Sequence, residues 1–381
     1  MKKYKVNIRE IILISGVMLL SIALFFLPAP PRVGTSQGRA VRAKILTVDD
    51  SSLTRQGLLL YGSQRLTVAL DGKTFRASNE LRGQPELDKV FKPGDCAVVI
   101  LHEGDTPQKS VLTAQEHYRN FWSFTLFAAF CLLLCLFGSF TGVKALFSFL
   151  FSCLVIWKLV IPLILRGWPA SWLIFGAVVI LTAVITFLVA GLTRKGLAAF
   201  AGSISGVAAG LLLAHVAGRL MHINGAAQPY VQTLFYSGYE HLDIPDIFIG
   251  AMILAGAGAV MDLAMDIAAG VEEVALHNPG LSRRELIRSG IRIGRSVTGT
   301  MTTTLLLAYS GGYLTLLMVF SAQGTPVSVF LNSSLVASEL VKTLVGSFCL
   351  VLVAPLTALV SGWIFFRKTP PAGENNSMER A

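Results

Sequence analysis

Apolar and polar positions follow two different periods along this chain. Eight stretches are mainly apolar over about 20 residues, the length an α-helix needs to cross a hydrocarbon core ~30 Å thick. They fall at about 10–27, 119–139, 145–165, 171–192, 197–221, 246–271, 298–320 and 338–366. Between the first and second the period shortens to two, in VRAKILTV, LLLYG, QRLTVAL, TFRAS and CAVVILHE. Asp71-Gly72 and Pro93-Gly94-Asp95 punctuate these runs with hairpin and turn signals. Five or six short strands without a helical pattern predict a small closed barrel of OB or SH3 type. The expected fold is therefore an α-helical polytopic membrane protein with eight transmembrane helices and a small all-β extracytoplasmic domain inserted after the first helix. Its parts are a signal-anchor helix (1–31), the barrel domain (32–118), a seven-helix membrane domain (119–366) and a disordered cytoplasmic tail (367–381).

Charge adds an orientation. Lys2, Lys3, Lys5 and Arg9 precede or open the first span, and Pro28-Ala-Pro-Pro31 is a poor cleavage site, so an uncleaved anchor is expected. With the N-terminus inside, eight spans place Lys144, Arg194-Lys195, the cluster Arg283 to Arg295 and Arg367-Lys368 in the cytoplasm, together with the C-terminus. The other side carries Arg166, Arg219 and Lys342 near helix ends, plus segment 28–118, whose length exempts it from the rule. A multi-pass protein of the bacterial cytoplasmic membrane is implied, with the lipid bilayer as its first partner. The net charge of +10 then reflects topology; no basic–aromatic array points to nucleic acid. Of five cysteines only Cys96 is exported, so no disulfide framework is implied. His102, Glu103 and Asp105 end a strand and read as a solvated loop rather than a metal site, and no cofactor motif occurs. The barrel is either a ligand- or partner-binding cap or a rigid spacer.

Candidate chemistry concentrates in FIGAMILAGAGAVMDLAMDIAAGVEEV. At about 100° per residue, Ala251, Ala255, Ala259, Asp262, Asp266, Ala269 and Glu273 share one face within roughly 80°. Small residues running into two acids predict packing against other helices, with both acids facing the bundle interior or a water-filled cavity. Two charges one turn apart in a poorly hydrated medium predict that at least one acid holds a proton near neutral pH. Thr300, Thr303, Thr304 and Leu307 share a face in the next span, and the hydroxyls are expected opposite Asp262 or bonded to their own backbone. Gly202, Gly206 and Gly210 recur every fourth residue and predict a helix-packing face.

Near the outer ends, His215 and Arg219 stand one turn apart, placed to snorkel or to partner an acid from another helix; Glu339 and Lys342 form a self-neutralising pair. Lys158 has a stem long enough to reach the interface. Residues 281–295 read as an amphipathic basic helix on the inner leaflet, held by anionic headgroups and broken from the preceding span by Asn278-Pro279-Gly280. No enzyme is expected. The two acids share one helix and lack the close Gly-x-Gly-Asp spacing of intramembrane aspartyl proteases, GSISG lacks the rhomboid order, and no Walker loop or His-Glu-x-x-His occurs.

The segments GAVMDLAMDIAAGVEE, LIRSGIRIGR, GTMTTTLLLAYSGG, ELVKTLVGSFCLVLVAPLTAL and ASNELRGQPELDKVFKPGD closely resemble the YibE/F family of bacterial membrane proteins over nearly the whole chain. That likeness implies architecture and no substrate; Ser296 stands where relatives tend to carry an acid after Gly-Arg. A weaker likeness joins Gly256–Asp262, Arg283–Arg295 and Thr303-Thr304 to the RND permeases, especially SecD and SecF. It implies a proton-coupling role for Asp262, while the two spans at about 119–165 depart from that pattern. The expected function is a permease with coupled proton or cation movement through Asp262 and Asp266. The alternative is a non-transporting scaffold or assembly factor whose acids are structural, working as a homo-oligomer or with a partner membrane protein.

Overall fold

A computed structural model describes residues 8–27, 38–85, 87–102 and 110–366. The basic residues before Ile8, the Pro28–Pro31 segment, Glu103, Asp105 and the 367–381 tail lie outside the described residues. The chain divides into two compact units, Arg32–Leu134 and Met1–Pro31 with Cys135–Ala381.

In the first unit, alternating apolar residues build β1 (Arg39–Asp49), β2 (Leu53–Gln56), β3 (Leu59–Leu70), β4 (Lys73–Arg82), β5 (Cys96–Leu101) and β6 (Val111–His117). Asp71-Gly72 joins β3 to β4, both residues at positive φ (48° and 77°), the backbone that a two-residue hairpin of matching twist requires. The sheet runs β1-β5-β6-β4-β3-β2, and β1 also pairs with β3, which closes five strands into a barrel and leaves β2 as a flap on β3. The β4–β6 pair is parallel and the others antiparallel. Of the two barrel types expected, this is the OB connectivity. Inward residues such as Ile45, Val68, Ala97, Val99 and Leu112 form its core.

The connection from β4 to β5 has no helix and is held by buried amides instead. Phe91 plugs the barrel, its N–H donating to Gln64 Oε1 at 3.0 Å. Gln64 Nε2 donates to Asp50 Oδ1 at 2.8 Å and to the Phe91 carbonyl at 3.3 Å, and Asn79 Nδ2 donates to Gln64 Oε1 at 2.9 Å. Gln64→Leu orphans the Phe91 N–H and an Asn79 donor inside the core and should cost about 1–3 kcal/mol. Urea unfolding of residues 38–118 expressed alone checks this; an unchanged midpoint would contradict the pinning role.

The second unit is helical. After α1 (Ile8–Phe25) come α2 (Asn120–Leu154), whose first part lies in the other unit, a π-helical turn (Val155–Val160) and α3 (Ile161–Leu165). Then follow α4 (Ala170–Ala190), α5 (Arg194–Leu220), α6 (Val231–Tyr236), α7 (Ile244–His277), α8 (Arg283–Gly312), α9 (Leu314–Ala322), α10 (Val327–Asn332) and α11 (Ser334–Phe365). Among the described residues five helical runs are long and apolar enough to cross a membrane, or six if α8 and α9, bent by 63°, count as one span. Eight separate spans are not reproduced. The expected spans 119–139 and 145–165 form one helical run, Asn120–Leu165, interrupted by non-helical backbone at Ser139 (φ 50°, ψ −130°). The expected span 298–320 breaks at Tyr313, just after Gly311-Gly312.

Residues 281–295 also differ from the expected separate surface helix. They open α8, with a capping box in which Ser282 N–H donates to Glu285 Oε2 at 2.8 Å and Glu285 N–H to Ser282 Oγ at 3.4 Å. Leu286, Gly290 and Gly294 are buried, because Gly290 and Gly294 let α8 lie against Ala358 and Ala354 of α11. Arg284, Arg288, Arg292 and Arg295 occupy the exposed side. On α5, Gly202, Gly206 and Gly210 pack against Thr357, Val353 and Cys349 of α11, as their spacing predicts.

A Cβ at Gly206 would stand 2.7 Å from Val353 Cβ and 3.2 Å from its Cα, whereas nothing lies within 4 Å of one at Gly258. Gly206→Leu should therefore destabilise by about 1–3 kcal/mol or more through overpacking, and Gly258→Ala should be tolerated. Monodisperse yield and thermal stability in detergent separate the two; equal behaviour would show that α5 and α11 do not meet here.

Candidate functional site

Asp243 caps α7 by accepting the Asp246 N–H at 3.0 Å, and the helix runs 34 residues to His277 before Asn278 ends it. Its bulky residues decide which side goes inward: Met252, Ile253, Val260, Leu263, Ile267 and Val271 are buried. The stripe on the other side stays open. Ala251, Ala255, Asp262, Asp266 and Glu273 are exposed, and Ala259 and Ala269 are half-buried. The seven residues do share a face, but not an inward one. Of the two places expected for the acids, bundle interior or water-filled cavity, the packed interior is corrected: branched side chains fill that space and leave most of the small-residue stripe exposed.

α8 runs antiparallel beside α7, with Gly270 against Ile293, Ile267 against Gly294 and Val271 against Gly290. Continued along the helices, this register brings Thr300 to the level of Asp262 and sets Thr303 and Thr304 about one turn beyond. All three threonines are exposed. Their hydroxyls donate to their own helix: Thr300 to Val297 O at 2.9 Å, Thr303 to Gly299 O and Thr304 to Thr300 O at 3.0 Å. The hydroxyls therefore take the local backbone bond rather than one to Asp262. Among the described residues no hydrogen bond or ion pair reaches Asp262 or Asp266.

Several other charges in the bundle have partners. Lys195 on α5 lies 3.8 Å from Glu272 on α7, and Lys158 donates to the Leu27 carbonyl at 3.0 Å. At the opposite end from Lys195, Lys342 donates to Glu339 at 3.2 Å, both partly buried, with the Tyr309 ring 6.0 Å away. Tyr309 is a residue the pattern reading passed over; its hydroxyl is buried without a partner among the described residues, as is that of Thr302. His215 does meet an acid from another helix. Its Nε2 is 3.9 Å from Asp246 Oδ1, its Nδ1 is 3.0 Å from Leu211 O, and Asp246 Oδ2 accepts the Ser171 N–H at 3.0 Å. Arg219 stays exposed beside them. Asp246 was legible only as a first-turn acid in Asp-Ile-Pro-Asp, which looks like capping alone.

The family model of the YibE/F-like protein matches residues 126–367, which is more than half of the chain and spans α2 through α11. The chain belongs to the YibE/F-like family. Neither a curated protein nor a solved structure matches it. The likeness to RND permeases therefore rests on the sequence pattern alone. In this YibE/F-like protein the unpaired acids, the glycine-packed helices and the paired residues at the far end all lie in the matched region. Asp262 and Asp266 are ionisable groups on an apolar helix with no charge partner among the described residues.

Proposed function

We propose that this protein is a permease-like, multi-pass protein of the bacterial cytoplasmic membrane in which Asp262 takes up and releases a proton, or binds a cation, during a transport cycle. The observation that carries this reading is the unpaired state of Asp262 on an open, otherwise small-residue face. A protonated carboxyl is tolerated against lipid, whereas its ionised form calls for water or a cation. Protonation therefore changes which surroundings the α7 face prefers, and that is the property a coupled carrier needs. Asp266 extends the polar face by one turn, and Thr300, Thr303 and Thr304 supply hydroxyls beside it. Glu339 and Lys342, with His215 and Arg219, are the polar groups at the far end of the same path.

In this reading the run Asn120–Leu165 crosses twice and turns at Ser139. At ~1.5 Å per residue its 46 residues span about 70 Å, over twice a hydrocarbon core. With α1, α4, α5, α7, α8–α9 and α11 this makes eight crossings, both termini inside and the barrel outside. The exposed arginines of α8 then meet anionic headgroups of the inner leaflet, at about 1 kcal/mol per basic residue.

The same open stripe supports a second reading, a scaffold or assembly factor. Small residues at every fourth position admit a close helix–helix approach, so a second copy or a partner membrane protein docks on α7 and the acids bond to it.

Asp262→Asn separates the two. The permease reading predicts wild-type folding and oligomeric state, loss of a carboxylic-acid infrared band that appears on acidification in lipid, and loss of proton movement in proteoliposomes; Asp266→Asn should be milder. If Asp262→Asn keeps the band unchanged, the coupling role is wrong. If it instead dissociates an oligomer or unfolds the protein, the scaffold reading stands.

A further inference from the structure

At the end of the bundle away from Lys195, two cavities share Asp243 and Asp246 as walls. One, about 390 Å³, is lined by His215, Arg219 and His222 as well. The other, about 350 Å³, is lined by Trp168, Trp172, Ile164, Leu242, Ile247 and His241, with no lysine or arginine. The second has the size of a small-molecule pocket; two tryptophans and aliphatic side chains form part of its wall, and polar groups supply the larger share of the surface it exposes.

The bonding of that wall sets the ligand's charge. Asp243 uses Oδ1 on the Asp246 N–H, and Asp246 uses Oδ2 on the Ser171 N–H. No hydrogen bond among the described residues reaches Asp243 Oδ2 or Asp246 Oδ1, and His215 Nε2 stays at 3.9 Å from the latter, beyond hydrogen-bond reach. His241 Nε2 lies 3.2 Å from the Leu165 carbonyl and donates there. Three rival ligand classes lack a partner. An anion finds no lysine or arginine, no group of three metal-binding side chains occurs among the described residues, and an apolar molecule leaves two carboxylates facing it. A cation with an organic skirt satisfies everything present: carboxylate oxygens take the charge, while indole faces attract it through their quadrupole and bury its alkyl groups.

We propose that this cavity binds a small organic ammonium ion, with Asp243 and Asp246 holding the charge and Trp168 and Trp172 packing on its alkyl groups. The site does not depend on transport through Asp262, and its occupancy is measured at equilibrium without any flux.

The test uses the full-length protein in an uncharged detergent, titrated with tetramethylammonium or n-butylammonium chloride at constant ionic strength. Sodium chloride and sodium butyrate serve as inorganic-cation and anion controls. Tryptophan fluorescence and thermal shift are read together. The expected result is a saturable response to both ammonium ions and to neither control, weakened at least about tenfold by Asp246→Asn. Trp172→Leu, at an exposed ring, keeps the test valid if Asp246→Asn fails to fold, and should weaken binding about fivefold or more. The proposal is overturned if no saturable ammonium response appears, if sodium or butyrate reproduces it, or if Trp172→Leu binds as the parent does.

Discussion

The helical unit depends on how closely α11 approaches α5 and α8. Lipid tails are as apolar as the helices, so burial from water does not drive these helices together; close packing does. Gly206 sits against Val353 and Gly290 and Gly294 against Ala358 and Ala354, so close that a Cβ on any of the three glycines would collide with its neighbour. These approaches fix three of the helices that α7 packs against, α5, α8 and α11, and its bulky side is buried among them. The exposure of Asp262 follows from contacts that Asp262 itself does not make.

Magnitudes explain why the open acids stand apart. A carboxylate in the middle of a span costs at least ~2.5 kcal/mol on insertion scales. Elsewhere the bundle reduces that cost by pairing, as Lys342 does for Glu339 and Lys195 for Glu272. Asp262 and Asp266 have no such partner among the described residues. Their cost persists unless water, a proton or another chain meets them, and each of those alternatives is a function. The far end contrasts with this: Asp243 and Asp246 both serve the start of α7, yet each keeps one oxygen without a hydrogen bond among the described residues, beside a cavity that Trp168 and Trp172 line.

Local patterns were legible where one period or one turn signal decides the structure. Strand alternation with Asp71-Gly72 predicted the barrel, and the glycines at every fourth residue of α5 predicted its packing face. The same glycine spacing at Gly290 and Gly294 was hidden under arginines, whose charge suggested a leaflet surface although their helix carries a buried side as well. The direction of the α7 stripe was not legible. Small residues fit a tight interface and an open groove equally, and only the bulky residues of the opposite side decide which occurs. Asp246 and Tyr309 escaped notice because an acid in a first turn and an aromatic near a helix end both have ordinary local explanations.

In the permease reading water, rather than lipid or packed protein, reaches the α7 face at Asp262. Single cysteines at positions 262 and 266, and at the buried Leu263 and Ile267 on the same helix, measure this directly in a cysteine-free background in native membranes. A small charged methanethiosulfonate reagent reacts only where the thiol meets water. Rapid modification at 262 and 266 with none at 263 and 267 is the predicted result. An unreactive 262, or the same rate at all four positions, would contradict it.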